Sequence, residues 1–496
     1  MTSIPSIRAA AATTASGGAA PSLVEILARA EAIAPVTTFP TVDELLSAFD
    51  ALAGSSGGRL AKRRIGTSRL GEPIHEYVIG GGSRHALVVG GVHPNEPIGF
   101  HTARELAEQM LAEPDFFARF DTTWHIIPCI DPDGARLNEG WFADPGDRSH
   151  YARNFYRPAP QEQVEWSFPL SYKRAYFDRP MPETDAIMRL MVETRPALLV
   201  GLHNAELGGV YYYVSRVLPG AVAALHAIPD ALGLPLDAGE PESADLEAVG
   251  RAVYRAPLAT EHYDYLESLG VDPTAEVGGG GSADYAARFG TLTLIAELPY
   301  WTHPQALDPS DSGVAYDDVL RRKAAGLREL GRTLTEVLEA AEPHLSIESP
   351  FLRASRAFVP MMTAAGDAEA ARAERPESRR PATVAEVFTN EDAVRCFRLR
   401  FGGTLVRALD AEVTAGIAPV EVRRAAARLR SVYEEWVAES EAVDGIAVLP
   451  VERLVGVQFA STLAMAALLA SEGDARGGEA AGAAATADTA LPGEPT

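Results

Sequence analysis

Only two cysteines, Cys129 and Cys396, occur in 496 residues. So sparse a supply excludes a disulfide framework and a thiolate metal site, and both thiols are expected to be buried apolar groups. Positive charge is also scarce: 44 Lys and Arg stand against 68 Asp and Glu, for a formal net charge of -24. That balance repels a phosphate backbone, and no Lys/Arg stripe overrides it locally, so nucleic acid is excluded as an expected partner. The opening stretch, MTSIPSIRAAAATTASGGAAPSL, lacks the continuous apolar core of a secretory signal. It reads as a disordered leader over 1–22 ahead of a cytoplasmic protein. No internal repeat of fixed period occurs, and nothing in the sequence sets the oligomeric state. One long uncharged run exists, the 18 residues from Leu454 to Ser471, near the minimum length for crossing a bilayer. It contains Gly456, Gln458, Ser461 and Thr462 and is followed by no basic cluster, which predicts a buried core helix and no membrane partner.

What is present suits a globular chain, with 47% hydrophobic and 23% charged residues and a length that predicts a main domain plus a smaller one. An N-terminal helical segment is expected over 23–58, ending at GSSGG. Over 59–345, strand-like runs alternate with helical ones. The strands are HALVVGGV (85–92), TWHIIPCI (123–130), PALLVGLH (196–203) and TLTLIAEL (291–298), with helices near 97–112, 184–193 and 316–341. Strands apolar on both faces and separated by helices predict a largely parallel sheet covered on both sides. Residues 363–382, with Pro376 and Pro381, read as a linker. A helical C-terminal unit over 383–472 follows, in three helices at about 383–412, 419–440 and 450–471, and the Ala- and Gly-rich 473–496 reads as a disordered tail.

Three of these strands end in residues able to work on a metal. HALVVGGV delivers the chain to His93-Pro94-Asn95-Glu96, PALLVGLH ends in His203, and TLTLIAEL carries Glu297. In open α/β sheets, ligands gather beyond the carboxyl ends of strands. His93, Glu96 and His203 offer two imidazoles and a carboxylate, a set that holds one Zn²⁺ while leaving a position for water, whose pKa the metal lowers. Glu297 is an acid inside an apolar run, where a carboxylate needs a partner or a cleft. It suits the role of base, taking a proton from that water and passing it to the leaving amine. His125 and His101 are expected to be structural, and Tyr211, Tyr212 and Tyr213 to be strand packing.

The sequence resembles the M14 zinc carboxypeptidases. The resemblance rests on H-P-N-E at 93–96, Asp131-Pro132-Asp133-Gly134 followed by Asn138, and Ala152-Arg153-Asn154-Phe155. It rests also on Leu202-His203-Asn204, Gly280-Gly281-Ser282-Ala283-Asp284-Tyr285 and Ala296-Glu297-Leu298, in matching order through about 60–340. It implies an α/β/α sandwich with a mixed, mostly parallel eight-stranded sheet, to which the C-terminal helical unit is added. It also implies hydrolysis of the C-terminal peptide bond of a peptide with a free C-terminus. By this correspondence Arg153, in a segment with Asn154, grips the terminal carboxylate, although Ala152 replaces the family's Asn. The family's oxyanion arginine falls near Phe142, so Arg136 or Arg148 is the expected stand-in, Arg136 first. The substrate-capping tyrosine falls near Glu276, with Tyr285 or Tyr300 as substitutes. Asp284 is placed beside the terminal side chain, where it can attract a basic group. Two other readings remain open: a deacylase of N-acyl amino acids resembling the aspartoacylase and succinylglutamate desuccinylase branch, because GVHPNEPIG is similar to its motif, and an inactive peptide-binding module.

Overall fold

The computed structural model describes residues 19–275 and 277–487. Positions 1–18 of the expected leader, Glu276 and positions 488–496 of the expected tail lie outside the described residues. The architecture is organised around one mixed sheet. Its strands are β1 (Leu60–Thr67), β2 (Pro73–Gly80), β3 (Arg84–Gly90), β4 (Thr122–Ile127), β5 (Leu198–Leu202), β6 (Tyr211–Val214), β7 (Ala248–Gly250), β8 (Val253–Arg255) and β9 (Leu292–Glu297). Their spatial order is β1-β2-β4-β3-β5-β9-β6-β8-β7. The four central strands β4, β3, β5 and β9 run parallel, and antiparallel pairings flank them.

These central strands are the ones whose sequences are apolar on both faces, as a two-sided core demands. Alternate residues divide between the faces. Ala86 and Val88 pack into the large core with α1 (Leu23–Glu31), α2 (Val42–Ser55) and α3 (Ile98–Ala112). Leu87 and Val89 pack with α5 (Pro182–Thr194), α4 being the short helix Arg148–Asn154 beside the sheet's carboxyl end. This is an α/β/α sandwich. The sheet has nine strands, one more than the eight implied by the resemblance, and its β7 and β8 are only three residues long. At the opposite edge, β1 reads LAKRRIGT, and its exposed basic residues discourage pairing with another chain.

After α6 (Ala221–Ala231) and two shorter helices at Ala259–Leu269 and Ser282–Ala287, the long helices of the C-terminal half are α7 (Tyr316–Ala341), α8 (Pro350–Ala373), α9 (Val384–Thr414), α10 (Val420–Glu441) and α11 (Val451–Ala487). Helices α7 to α10 pack on one another around Leu330, Leu334, Phe358, Leu405 and Leu429. The linker expected over 363–382 is therefore corrected: residues 363–373 belong to α8 and residues 381–383 pair as a short strand with Asp311–Ala315. Ala, Glu and Arg are strong helix formers, and the two prolines that suggested a linker stand past the helix end. Helix α11 does not join this bundle. It lies under the sheet against α1, α3, α6, β5 and β9, with Leu454, Val457, Phe459, Leu463 and Met465 fully buried. Residues Val451–Glu472 are long and apolar enough to cross a membrane, but 89% of the most apolar stretch is buried within the protein. The helix continues to Ala487, through the first part of the segment expected as a disordered tail.

A single polar side chain ties α11 to the strands above it. Gln458 donates to the carbonyl of His203 at 2.8 Å and accepts from the Thr102 hydroxyl at 2.8 Å. Replacing Gln458 by Leu strands both partners in the core, with an expected loss of about 1–3 kcal/mol of stability, read from the denaturant midpoint. A change smaller than about 0.5 kcal/mol would mean that water replaces the amide without penalty.

Candidate metal centre

The four residues at the strand ends meet. His93 follows β3, His203 follows β5 directly, Glu297 closes β9, and Glu96 sits in the turn that starts α3. Two glycines allow the approach. A Cβ on Gly99 would lie 2.6 Å from that of Leu202, so only glycine lets the start of α3 settle against the end of β5. A Cβ on Gly201 would stand 2.9 Å from the His203 ring. The first turn of α3 has no capping side chain of its own, and Asn204 supplies one by accepting from the Ile98 N–H at 3.3 Å.

His93 Nδ1 lies 3.0 Å from Glu96 Oε1, and His203 Nδ1 lies 3.3 Å from Glu96 Oε2. One ligand atom from each of the three falls within 4.8 Å of the others, and all three residues are buried. The imidazole rings are 4.7 Å apart between centroids. Both Nε2 atoms are buried without a partner. Two buried imidazoles and a buried carboxylate fit a zinc ion by number and chemistry. Glu297 Oε1 stands 3.7 Å from His203 Nδ1, beside the three rather than among them.

Electrostatics separate the two histidines. Burial pushes the His93 imidazole down to about 3, and the Arg157 guanidinium adds to that. Burial also opposes a proton on His203, but the hydrogen bond to Glu96 and the charges of Glu297, Glu96 and Glu165 outweigh it and lift this imidazole to about 9. Glu96 touches both rings, but Arg157 weighs on His93 whereas Glu297 and Glu165 add to it at His203. Burial likewise works against a charged Glu96, yet the two imidazoles hold its carboxyl well below the usual range. Glu297 moves the other way: burial raises its affinity for a proton, reinforced by the Glu242 and Glu96 carboxylates and opposed by His203. A carboxylate whose proton affinity is raised is suited to proton transfer.

The zinc carboxypeptidase family model (Peptidase_M14) matches residues 45–306. The chain belongs to the zinc carboxypeptidase family. Solved structures that match it include bovine thrombin-activatable fibrinolysis inhibitor in complex with tick carboxypeptidase inhibitor, at 12% identity over 52% of this chain and 86% of that one, with a TM-score of 0.35. A metallo-carboxypeptidase from Burkholderia cenocepacia matches at 17% identity over 52% and 60%, with a TM-score of 0.32. Carboxypeptidase A from Helicoverpa armigera matches at 15% identity over 56% and 70%, with a TM-score of 0.32. Comparison with curated proteins finds no match.

The substrate-side residues expected of a zinc carboxypeptidase each hold partners away from the triad. Arg153 makes a two-pronged ion pair with Glu434 of α10 at 2.6 and 2.7 Å. Asn154 turns back onto the His150 carbonyl in α4. Arg136 is held by Asp43 and Glu72, and Arg148 by Asp392 of α9. Asp284 accepts the Gly281 and Ala259 N–H groups, so it orders its loop. None of the five makes a hydrogen bond or ion pair with His93, Glu96, His203 or Glu297 among the described residues. The position aligned with the capping tyrosine, Glu276, lies outside the described residues. Tyr285 packs on Phe168, and Tyr300 donates to the Asn95 carbonyl behind the metal turn.

Other residues take up the space. Arg157 donates to Glu96 Oε1 at 3.2 Å and to Gln163 Oε1 at 2.9 Å, which fixes its guanidinium beside the triad. Trp166 lies under Arg157 at 5.4 Å and meets the His93 ring at 5.9 Å. Glu165, in the same segment, is buried and accepts from the Ser282 N–H and hydroxyl. Sequence reasoning missed all three because 156–168 has neither helical nor strand periodicity. The one available signal was a second arginine four positions beyond Arg153.

Proposed function

We propose that this protein is a zinc-dependent metallocarboxypeptidase that removes the terminal residue from peptides with a free C-terminus. The observation that carries this reading is the convergence of His93, Glu96 and His203 with Glu297 beside them. When bound there, one zinc ion polarises the scissile carbonyl and acidifies water.

The chain's own groups do the rest. Glu297 accepts a proton from the attacking water as the carbon–oxygen bond forms, then hands it to the leaving nitrogen as the carbon–nitrogen bond breaks. Arg157, fixed by Glu96 and Gln163, offers its remaining donors to an anionic group of the substrate. Gln458 and Asn204 hold the His203 backbone and the start of α3 so that the imidazole and the Glu96 carboxylate keep their spacing.

The test compares peptides with free and amidated C-termini, alongside N-acyl amino acids, with zinc measured in the same preparation. Expected is stepwise shortening of the free peptides, loss of at least about tenfold in rate on amidation, and recovery of activity by zinc after chelation. Cleavage confined to the N-acyl compounds would overturn the peptidase reading.

A further inference from the structure

Three helices of the C-terminal bundle converge on one carboxylate of the sandwich, Glu240 in the 236–247 loop. The Tyr316 hydroxyl at the start of α7 donates to it at 2.6 Å, Arg372 near the end of α8 forms an ion pair with it, and Asn390 of α9 donates at 3.4 Å. The Glu240 N–H in turn donates to the Thr389 hydroxyl of α9 at 3.1 Å. Side-chain exposures of 14% for Arg372 and 8% for Glu240 make this a buried clasp. Gly239 belongs to it, because a Cβ there would stand 2.6 Å from the Thr389 methyl. Breaking one side of a buried pair is expensive, so the loop is held to a single position.

What the loop lies on is the face of the sheet that carries Glu297. In the antiparallel pair of β6 and β9, Tyr211 stands opposite Glu297 and Tyr213 opposite Ile295. Opposed residues share a face, with Cβ atoms about 4.5–5.5 Å apart, and so do residues two apart along a strand. The Tyr211 side chain therefore borders the proposed base, and its ring centroid is 5.7 Å from that of Tyr213. Leu236 and Leu246, at the two ends of the loop, pack against these tyrosines, as does Ala205, two residues after His203. Between them Glu242 accepts from the Tyr213 hydroxyl at 2.9 Å. The loop begins tied to the sheet, Asp237 accepting from the Gly209 N–H at 3.1 Å, and ends tied to the helix Ala259–Leu269, with Asp245 3.2 Å from His262. Residues 239–242 are left to the clasp and the Tyr213 bond.

We propose that Tyr316, Arg372 and Thr389 are positioning residues through which the bundle sets substrate affinity: they fix the apex of the loop, the apex fixes Glu242 on Tyr213, and Tyr213 and Tyr211 form the surface that receives a peptide beside Glu297. This rests on the carboxypeptidase reading and adds a control to it. Amide hydrogen exchange and peptide hydrolysis are measured on the zinc-loaded full chain, on Arg372→Met, and on Thr389→Val, which keeps the shape beside Gly239 and removes the acceptor of the Glu240 N–H. Expected in Arg372→Met is at least about tenfold faster exchange over 236–247 with β9 unchanged, and a KM at least about fivefold higher with kcat within about twofold. Thr389→Val moves exchange and KM the same way by about twofold or more, and Arg372→Lys returns KM to within about threefold of native. A merely structural role would lower kcat with the folded fraction and leave KM alone. Native exchange over the loop in Arg372→Met, a loosened loop with native KM, or a loss confined to kcat overturns the proposal. Thr389→Val alone decides if Arg372→Met does not fold. No shortening of any peptide by the native protein would sink the carboxypeptidase reading, and a loop loosened all the same would leave the clasp standing.

Discussion

Glu297→Gln is expected to lower turnover by about 10³-fold while zinc content stays at the native level. The substitution keeps the shape of the side chain at the end of β9 and removes its ability to accept a proton. Nothing in the surroundings substitutes for it: Glu96 has both oxygens engaged by His93, His203, Arg157 and the Asn204 N–H. Glu165 is held away by Ser282. The metal ligands are separate residues, so binding and chemistry come apart in this variant, whereas His203→Ala is expected to lose both. Turnover within about tenfold of native would remove Glu297 from the chemistry. Loss of zinc in the Gln variant would instead make it a ligand.

Arg400→Leu is expected to destabilise the protein by about 3–5 kcal/mol. Arg400, on α9, forms an ion pair with Glu206, which sits three residues after His203. Glu206 also accepts from the Tyr151 hydroxyl at 2.5 Å and from the Cys396 thiol at 2.5 Å. Side-chain exposures of 15% for Arg400 and 10% for Glu206 make this a buried pair. Removing the cation leaves a carboxylate in the core with only neutral donors. The double substitution Arg400→Leu with Glu206→Leu is expected to recover most of the loss, since replacing both charges restores an apolar contact. Chemical denaturation of the two variants reads this directly. A single-variant loss below about 1 kcal/mol would mean that the pair contributes nothing beyond its solvation. A second buried pair, Arg372 with Glu240, fastens the 236–247 loop to α8 in the same way. The helical bundle thus steadies two loops of the α/β/α sandwich, one of them carrying Glu242.

The parts of this molecule that were legible in the sequence are those with a strong period or a strand-end position. The four central strands, α3, α5 and α7 lie where apolar periodicity put them, and His93, Glu96, His203 and Glu297 converge because each stands at the carboxyl end of a readable strand or in the turn after it. The surroundings of the triad were not legible. Arg153 matched a motif, but a glutamate nearly three hundred residues later, Glu434, now holds it, and no local pattern announces such a partner. Arg157, Glu165 and Trp166 come from an irregular segment whose geometry is set by tertiary contacts. Helix α11 was readable as buried, whereas its neighbours were not. Its apolar residues suit a bundle and a sheet equally, and only the position of Gln458 under the His203 carbonyl distinguishes the two.

That last placement sets an order of events during synthesis. The underside of β5 and β9 is closed by Leu454, Val457, Phe459 and Leu463. A ribosome must therefore release the chain at least as far as these residues before the strands bearing His203 and Glu297 are sealed. Until then a nascent polypeptide holds His203 and Glu297 on a sheet whose apolar underside is bare to solvent, a surface prone to stray association.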